Sequence, residues 1–178
     1  MTDYKEEQSN EIEALESIYP DELNILQREP FYKFEIPVKV EYTNEAEEDD
    51  TASVTIQFEY TATYPDEVPV ITVSDSEGLE DEILEEITAA ITEQAEENVG
   101  MVMAFTIVSA VQEKMQELLE KLVKDRQDAK EERIRKAEEA EQKRFEGTVV
   151  TIETFLAWKT GFDAEIAEKK RLKKLKEN

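Results

Sequence analysis

Tyr32, Phe34, Ile36, Val38, Val40 and Tyr42 alternate without a break against Lys33, Glu35, Pro37, Lys39 and Glu41. A period of two puts the apolar side chains on one face of an extended chain and leaves the other face wet, which is the pattern of a half-buried strand. Val54, Ile56, Phe58 and Tyr60 repeat it against Ser53, Thr55, Gln57 and Glu59. Residues 68–73 supply a further apolar run, and residues 23–26 a weaker one ahead of the others. Joined by short polar links, these segments predict a four-stranded antiparallel meander covered on one face. Pro37 removes a ladder donor and marks an edge or a bulge. The polar stretch over residues 43–50 reads as the connection between the two long strands.

The segments that flank the strands have helical period. Tyr4, Ile12, Leu15, Ile18 and Tyr19 share a stripe over residues 3–19, with acids crowding the first turns and Pro20 at the end. Leu79, Ile83, Leu84, Ile87 and Ile91 form the next apolar face, and Gly100 follows Asn98 as a stop. A third helix starts near Val102 and carries Phe105, Val108, Val111, Met115, Leu118 and Leu122. From Val108 its spacing alternates three and four, a short heptad stripe that also suits a homodimeric coiled coil. Residues 124–143 then hold only Ala129, Ile134, Ala137 and Ala140 as apolar residues, with acid-first pairs Glu131–Arg135, Glu132–Lys136 and Glu139–Lys143 at i,i+4. Twenty such residues make a solvated helical spacer about 30 Å long.

With 37% charged and 39% hydrophobic residues, the 178-residue chain has a core for only part of its length. The charge is uneven: residues 1–113 carry 30 acidic and 4 basic side chains, the remainder 15 and 17. The first part repels nucleic acid and favours a basic protein surface. The absence of Cys and His excludes disulfides, thiolate chemistry, Cys/His zinc sites and imidazole catalysis. The four glycines, Gly78, Gly100, Gly147 and Gly161, lie too far apart for a phosphate-cradling loop. The acidic run Glu45, Glu47, Glu48, Asp49 and Asp50 lacks the ligand spacing of a calcium loop and reads as a solvated turn. No enzymatic activity and no cofactor are expected. With an N-terminus that is neither basic nor apolar and no bilayer-length apolar run, the expectation is a cytoplasmic protein with no membrane contact.

Past the spacer the composition shifts. Phe145, Gly147, Thr148, Val149, Val150, Ile152, Phe155, Leu156, Trp158 and Phe162 crowd between the charged helix and a basic end of Lys169, Lys170, Arg171, Lys173, Lys174 and Lys176. A segment this short cannot bury so much apolar area alone, so it either folds back or binds a partner. Three regions follow: 1–122, 123–143 and 144–178.

Two motifs carry a resemblance. Tyr64-Pro65-Asp66-Glu67-Val68-Pro69 places two prolines four apart in the turn before the last strand, where Tyr64, Pro65 and Pro69 brace a rigid loop. It follows the opening helix with Glu13-Ala14-Leu15-Glu16-Ser17-Ile18-Tyr19-Pro20 and the strand meander, and precedes two closing helices. In that order the first 122 residues resemble the RWD domain, an α+β sandwich related to ubiquitin-conjugating enzymes that usually lacks their catalytic cysteine. Phe145-Glu146-Gly147-Thr148, Val150-Thr151-Ile152-Glu153, Phe155, Trp158-Lys159 and Phe162-Asp163-Ala164-Glu165 are similar to the GTPase-binding segment of the DRG family regulatory proteins, DRG standing for developmentally regulated GTP-binding protein. His is common in that family where Glu146 stands, Pro where Val149 stands, and a long acidic tail follows the segment.

The resemblance implies a non-catalytic adaptor. Its partner-binding residues would be Phe145, Gly147, Thr148, Val150, Ile152, Phe155, Trp158 and Phe162, which would hold a DRG-type translational GTPase. Its RWD domain would contact a ribosome-associated activator of the amino-acid-starvation kinase, giving indirect ribosome association without direct DNA binding. The alternatives are an inactive conjugating-enzyme-like module that positions ubiquitin or SUMO machinery, and a homodimeric scaffold through residues 108–122.

Overall fold

In the computed structural model, which describes residues 3–147 and 149–176, the chain opens with helix α1 (Tyr4–Ile18). Asp3 caps it, its Oδ1 accepting from the Glu6 N–H at 3.2 Å, and Glu6 and Glu7 stand in the first turn where the helix dipole favours acids. Strands β1 (Asn24–Gln27), β2 (Lys33–Thr43), β3 (Asp49–Glu59) and β4 (Val70–Glu77) follow, and then α2 (Asp81–Glu97), α3 (Ala104–Phe145) and α4 (Ile152–Lys176). The fold is α+β. One antiparallel sheet runs in the order β1-β2-β3-β4, the meander that the alternation predicts.

The two long strands pair along their whole length, from Lys33 opposite Glu59 to Thr43 opposite Asp49. The polar connection is therefore shorter than residues 43–50. Asn44 closes it: its Oδ1 accepts from the N–H groups of Ala46 and Glu48, and Glu47 takes a φ of 60°. Pro37 pairs opposite Thr55 beyond the reach of β1, so β2 is an edge there, as a proline requires. The last strand begins and ends later than residues 68–73. Pro69 stays outside the ladder, and β3 templates the polar residues Ser74 to Glu77 across a bulge at its Thr55–Ile56 step. Gly78 ends this strand at a φ of 73°, where a Cβ would stand 2.9 Å from the Thr51 carbonyl oxygen.

The core lies between the sheet's apolar face and the helices. Phe34, Ile36, Val38, Val40, Val54, Ile56 and Phe58 meet Ile12 and Leu15 of α1, Ile83, Ile87 and Ile91 of α2, and the first turns of α3. Each such side chain contributes about 1.5–3 kcal/mol on burial. Val108, Val111, Met115 and Leu118 belong to this core. The heptad stripe thus covers the chain's own sheet, which corrects the coiled-coil expectation: the face that a homodimer through residues 108–122 needs is already occupied. The α1 stripe also differs at its margin. Gln8 and Glu11 are buried beside Ile12 and Leu15, while Ile18 is exposed.

The chain divides into two compact units, Met1–Asp128 and Ala129–Asn178. In the first, the Arg126 guanidinium bonds to Glu45 of the hairpin turn at 2.7 Å and to Glu80, the N-cap residue of α2. In the second, Lys136 pairs with Glu132 at 2.7 Å as the i,i+4 spacing predicts. Arg135 reaches forward to Glu139 at 3.9 Å, where the sequence suggested Glu131. Among the described residues no helix is long and apolar enough to cross a membrane.

Candidate docking sites

Tyr64, Pro65 and Pro69 lie in the link from β3 to β4, and Tyr64 is buried. Its phenol meets a carboxylate that the sequence reading does not single out. Glu11 Oε2 accepts from the Tyr60 hydroxyl at 2.5 Å and from the Tyr64 hydroxyl at 2.7 Å, and Glu11 Oε1 accepts from the Ala104 N–H at 2.9 Å. The Tyr64 oxygen in turn accepts from the Met103 N–H at 2.8 Å. Met103 and Ala104 open α3, where backbone N–H groups have no partner within the helix and Met103 has no oxygen with which to cap it. A carboxylate from α1, 93 residues away in sequence, serves as the missing cap. Gln8 Nε2 donates to the carbonyls of Thr61 and Tyr64 and ties the same turn to α1.

The Tyr60 and Tyr64 rings stack at 4.1 Å, with Phe34 edge-on to Tyr60 at 5.3 Å. Burial, with the Glu11 carboxylate alongside, pushes both phenols far above their ordinary pKa. The network holds three segments in fixed relation: α1, the Tyr64-Pro65 turn and the start of α3. It carries no nucleophile and is enclosed, so its chemistry is structural.

The second candidate site is in the other unit. Thr151 and Thr154 cap α4 reciprocally: the Thr154 N–H donates to Thr151 Oγ1 at 3.2 Å, and the Thr151 N–H donates to Thr154 Oγ1 at 2.8 Å. Val150, just before the cap, and Phe155, in the first turn, line one shallow cleft with Thr154 and Trp158, the arrangement of a hydrophobic staple. Phe155, Trp158 and Phe162 then follow at three- and four-residue spacing and remain 48%, 59% and 45% exposed. Trp158 stacks on Phe162 at 5.1 Å and lies 6.0 Å from Phe155. At 100° per residue Ile166, Lys169 and Lys173 continue this stripe, so one helix face passes from aromatic to basic. Phe145, Val150 and Ile152 are almost fully exposed, and Gly147 stands in open space. Thr148 lies outside the described residues.

The RWD domain family matches residues 6–115. The chain belongs to that family. The RWD domain of mouse GCN2, known from a solution structure, resembles it with a TM-score of 0.55 and 26% identity over 64% of this chain and 85% of that one. RWD domain-containing protein C1393.09c of Schizosaccharomyces pombe is 37% identical over 173 residues, 94% of this chain and 79% of that protein. Protein GIR2 of Saccharomyces cerevisiae is 33% identical over 210 residues, 92% of this chain and 78% of its own length. Both fungal alignments reach well past the RWD domain and into the segment that holds α4. Within the RWD domain, the Tyr-Pro turn is the visible half of the network and Glu11 the hidden half. Its signal was the position of Gln8 and Glu11 on the same stripe as Ile12 and Leu15.

Proposed function

We propose that the chain is a cytoplasmic, non-catalytic adaptor of the DRG regulatory type. Residues 144–178 bind a DRG-type GTPase, and the RWD domain of residues 1–122 contacts the ribosome-associated activator of the amino-acid-starvation kinase. Residues 123–143 are the spacer between them. The observation that carries this reading is the aromatic stripe of α4, three large rings half exposed on a helix whose start is fixed by its own cap and staple. A stripe of this kind is a helix-in-groove ligand, with anchors one turn apart. Similarity to the two fungal proteins along more than nine-tenths of the chain supports a shared two-part organisation. The lack of any cysteine leaves no thioester chemistry to a conjugating-enzyme-like module.

The test is calorimetric titration of a purified DRG-type GTPase with the full chain, the Trp158→Ala variant and the Phe155→Ala/Phe162→Ala variant. Each variant weakens binding at least about tenfold, or ~1.4 kcal/mol, while melting of the RWD unit stays unchanged. Wild-type affinity in both variants contradicts the assignment.

A further inference from the structure

The outer side of α1 and the loop that leads into α3 enclose a groove of about 700 Å³. Its apolar lining includes Ile18, Met101, Val102 and Phe105, each close to half exposed. A connecting loop normally presents polar residues, yet the one from Val99 to Met103 presents apolar side chains at Val99, Met101 and Val102 and buries only Met103. The loop's backbone is tied down from below at three points. The Gly100 N–H donates to the Pro65 carbonyl at 2.8 Å, the Met103 N–H to Tyr64, and the Ala104 N–H to Glu11. The groove is therefore preformed by the same network that the Tyr-Pro turn anchors, and its apolar lining includes an adaptable Met side chain.

Charge selects the occupant. The charged residues of the lining are Glu7 and Glu11, with no cation among them; Glu11 is buried and already bonded to Tyr60, Tyr64 and the Ala104 N–H, so Glu7 is the lining carboxylate that meets an occupant. The adjoining first turn of α1 carries Asp3 and Glu6 against one cation, Lys5, and Asp66, held by the Tyr4 hydroxyl at 2.7 Å, lies beside the same end, so acids predominate there. Nucleic acid and acidic peptides are repelled from such a mouth, whereas Lys or Arg is drawn to it. The groove follows α1 from Glu7 to Ile18, about 16 Å at 1.5 Å per residue, which matches three turns of a partner helix.

We propose that this groove is where the RWD unit receives a basic amphipathic helix of its protein partner, with an apolar stripe seated on Met101, Val102 and Phe105 and Lys or Arg side chains facing the Glu7 end. The partner's identity rests on the adaptor reading above; the groove's chemistry does not.

The experiment uses the full chain with its methionine methyls labelled, so that Met101 reports on the groove and buried Met115 on the core. Two probes are titrated: the kinase activator, and a synthetic helical peptide with Leu at i, i+3, i+4 and i+7 and Lys elsewhere. The expected result is that both move the Met101 methyl and leave Met115 in place, and that Met101→Lys weakens both at least about tenfold. Val70→Lys, an exposed site on β4, changes neither affinity. Activator binding that leaves the Met101 methyl and the Met101→Lys affinity unchanged overturns the groove and spares the adaptor reading. Peptide binding at Met101 without activator binding supports the groove and removes the activator from the account. No Met101 response to either probe, equal binding of a Glu-for-Lys peptide, or a Met101 shift with chain concentration alone each overturns the proposal, the last in favour of a second copy as occupant.

Discussion

Replacing Glu11 with Gln keeps its size and removes the charge and one acceptor, and the surroundings offer the amide no good orientation. Three donors converge on the carboxylate, the Tyr60 and Tyr64 hydroxyls on one oxygen and the Ala104 N–H on the other. If the amide oxygen faces Ala104, the amide N–H groups face two phenols whose own protons then lack an acceptor. If it faces the phenols, an N–H points at the Ala104 N–H. Each lost charge-assisted bond is worth about 1.5–3 kcal/mol, and a broken buried charge network costs about 3–5 kcal/mol in all. We expect Glu11→Gln to destabilise the RWD unit by about 3–5 kcal/mol, a fall in Tm of roughly 10–15 °C at this size. Tyr60→Phe removes one donor and should cost about 1–2 kcal/mol, whereas Tyr64→Phe also orphans the Met103 N–H and should cost more. The assay is urea unfolding followed by the near-ultraviolet circular dichroism of the tyrosines, with stability read from midpoints at constant slope. Because Glu11→Gln and Tyr64→Phe remove the same bond, the double variant should cost less than the two together. A loss below about 1 kcal/mol for Glu11→Gln, or strict additivity with Tyr64→Phe, would refute the cap-and-clamp role.

The raised Tyr60 and Tyr64 phenols make stability fall in alkali. Below pH about 10 both states hold these protons; above it the unfolded chain releases protons that the folded one keeps, and stability drops by about 1.4 kcal/mol per pH unit for each tyrosine. Phenolate absorbance should show these two titrating only as the unit unfolds, and early titration of every tyrosine contradicts their burial. Gly78→Ala, at positive φ and against the Thr51 carbonyl, should cost about 1–3 kcal/mol in the same urea assay; an unchanged midpoint contradicts the strain. Gly161 sits in mid-helix at the flank of the aromatic stripe, about 60° round the helix from Trp158 and with nothing near a Cβ, so Gly161→Ala should favour α4 by about 1 kcal/mol. Its affinity for the GTPase should then rise a few-fold, and weaker binding would mean that the bound segment is not this helix.

The strands were legible because their faces differ in polarity at every step: the alternation from Tyr32 to Tyr42 leaves no other register. The faces of α2 and α3 were legible for the same reason, but the sequence does not say what a face meets, and a three-four stripe such as Val108 to Leu118 suits a sheet as well as a second helix. Element ends were less visible, since Asn44 closes its turn through its own side chain and β3 extends pairing into the polar Ser74–Glu77 stretch. Glu11 was hidden by composition. In a helix crowded with acids, one more glutamate resembles its solvated neighbours until the chain brings two phenols and a helix N-terminus to it. On α4 the aromatic residues stand out against the charged segments around them, while their order on one face, aromatic then basic, emerges from the helix.

In the function proposed above, one chain holds two partners through separate units. The most direct measurement is calorimetric titration of the kinase activator into the full chain, once free and once saturated with the DRG-type GTPase. The expected result is a ternary complex, with an activator affinity that agrees between the two titrations to within about twofold, or ~0.4 kcal/mol. Displacement of the GTPase by the activator, or activator binding only when the GTPase is absent, would show one composite surface and contradict it.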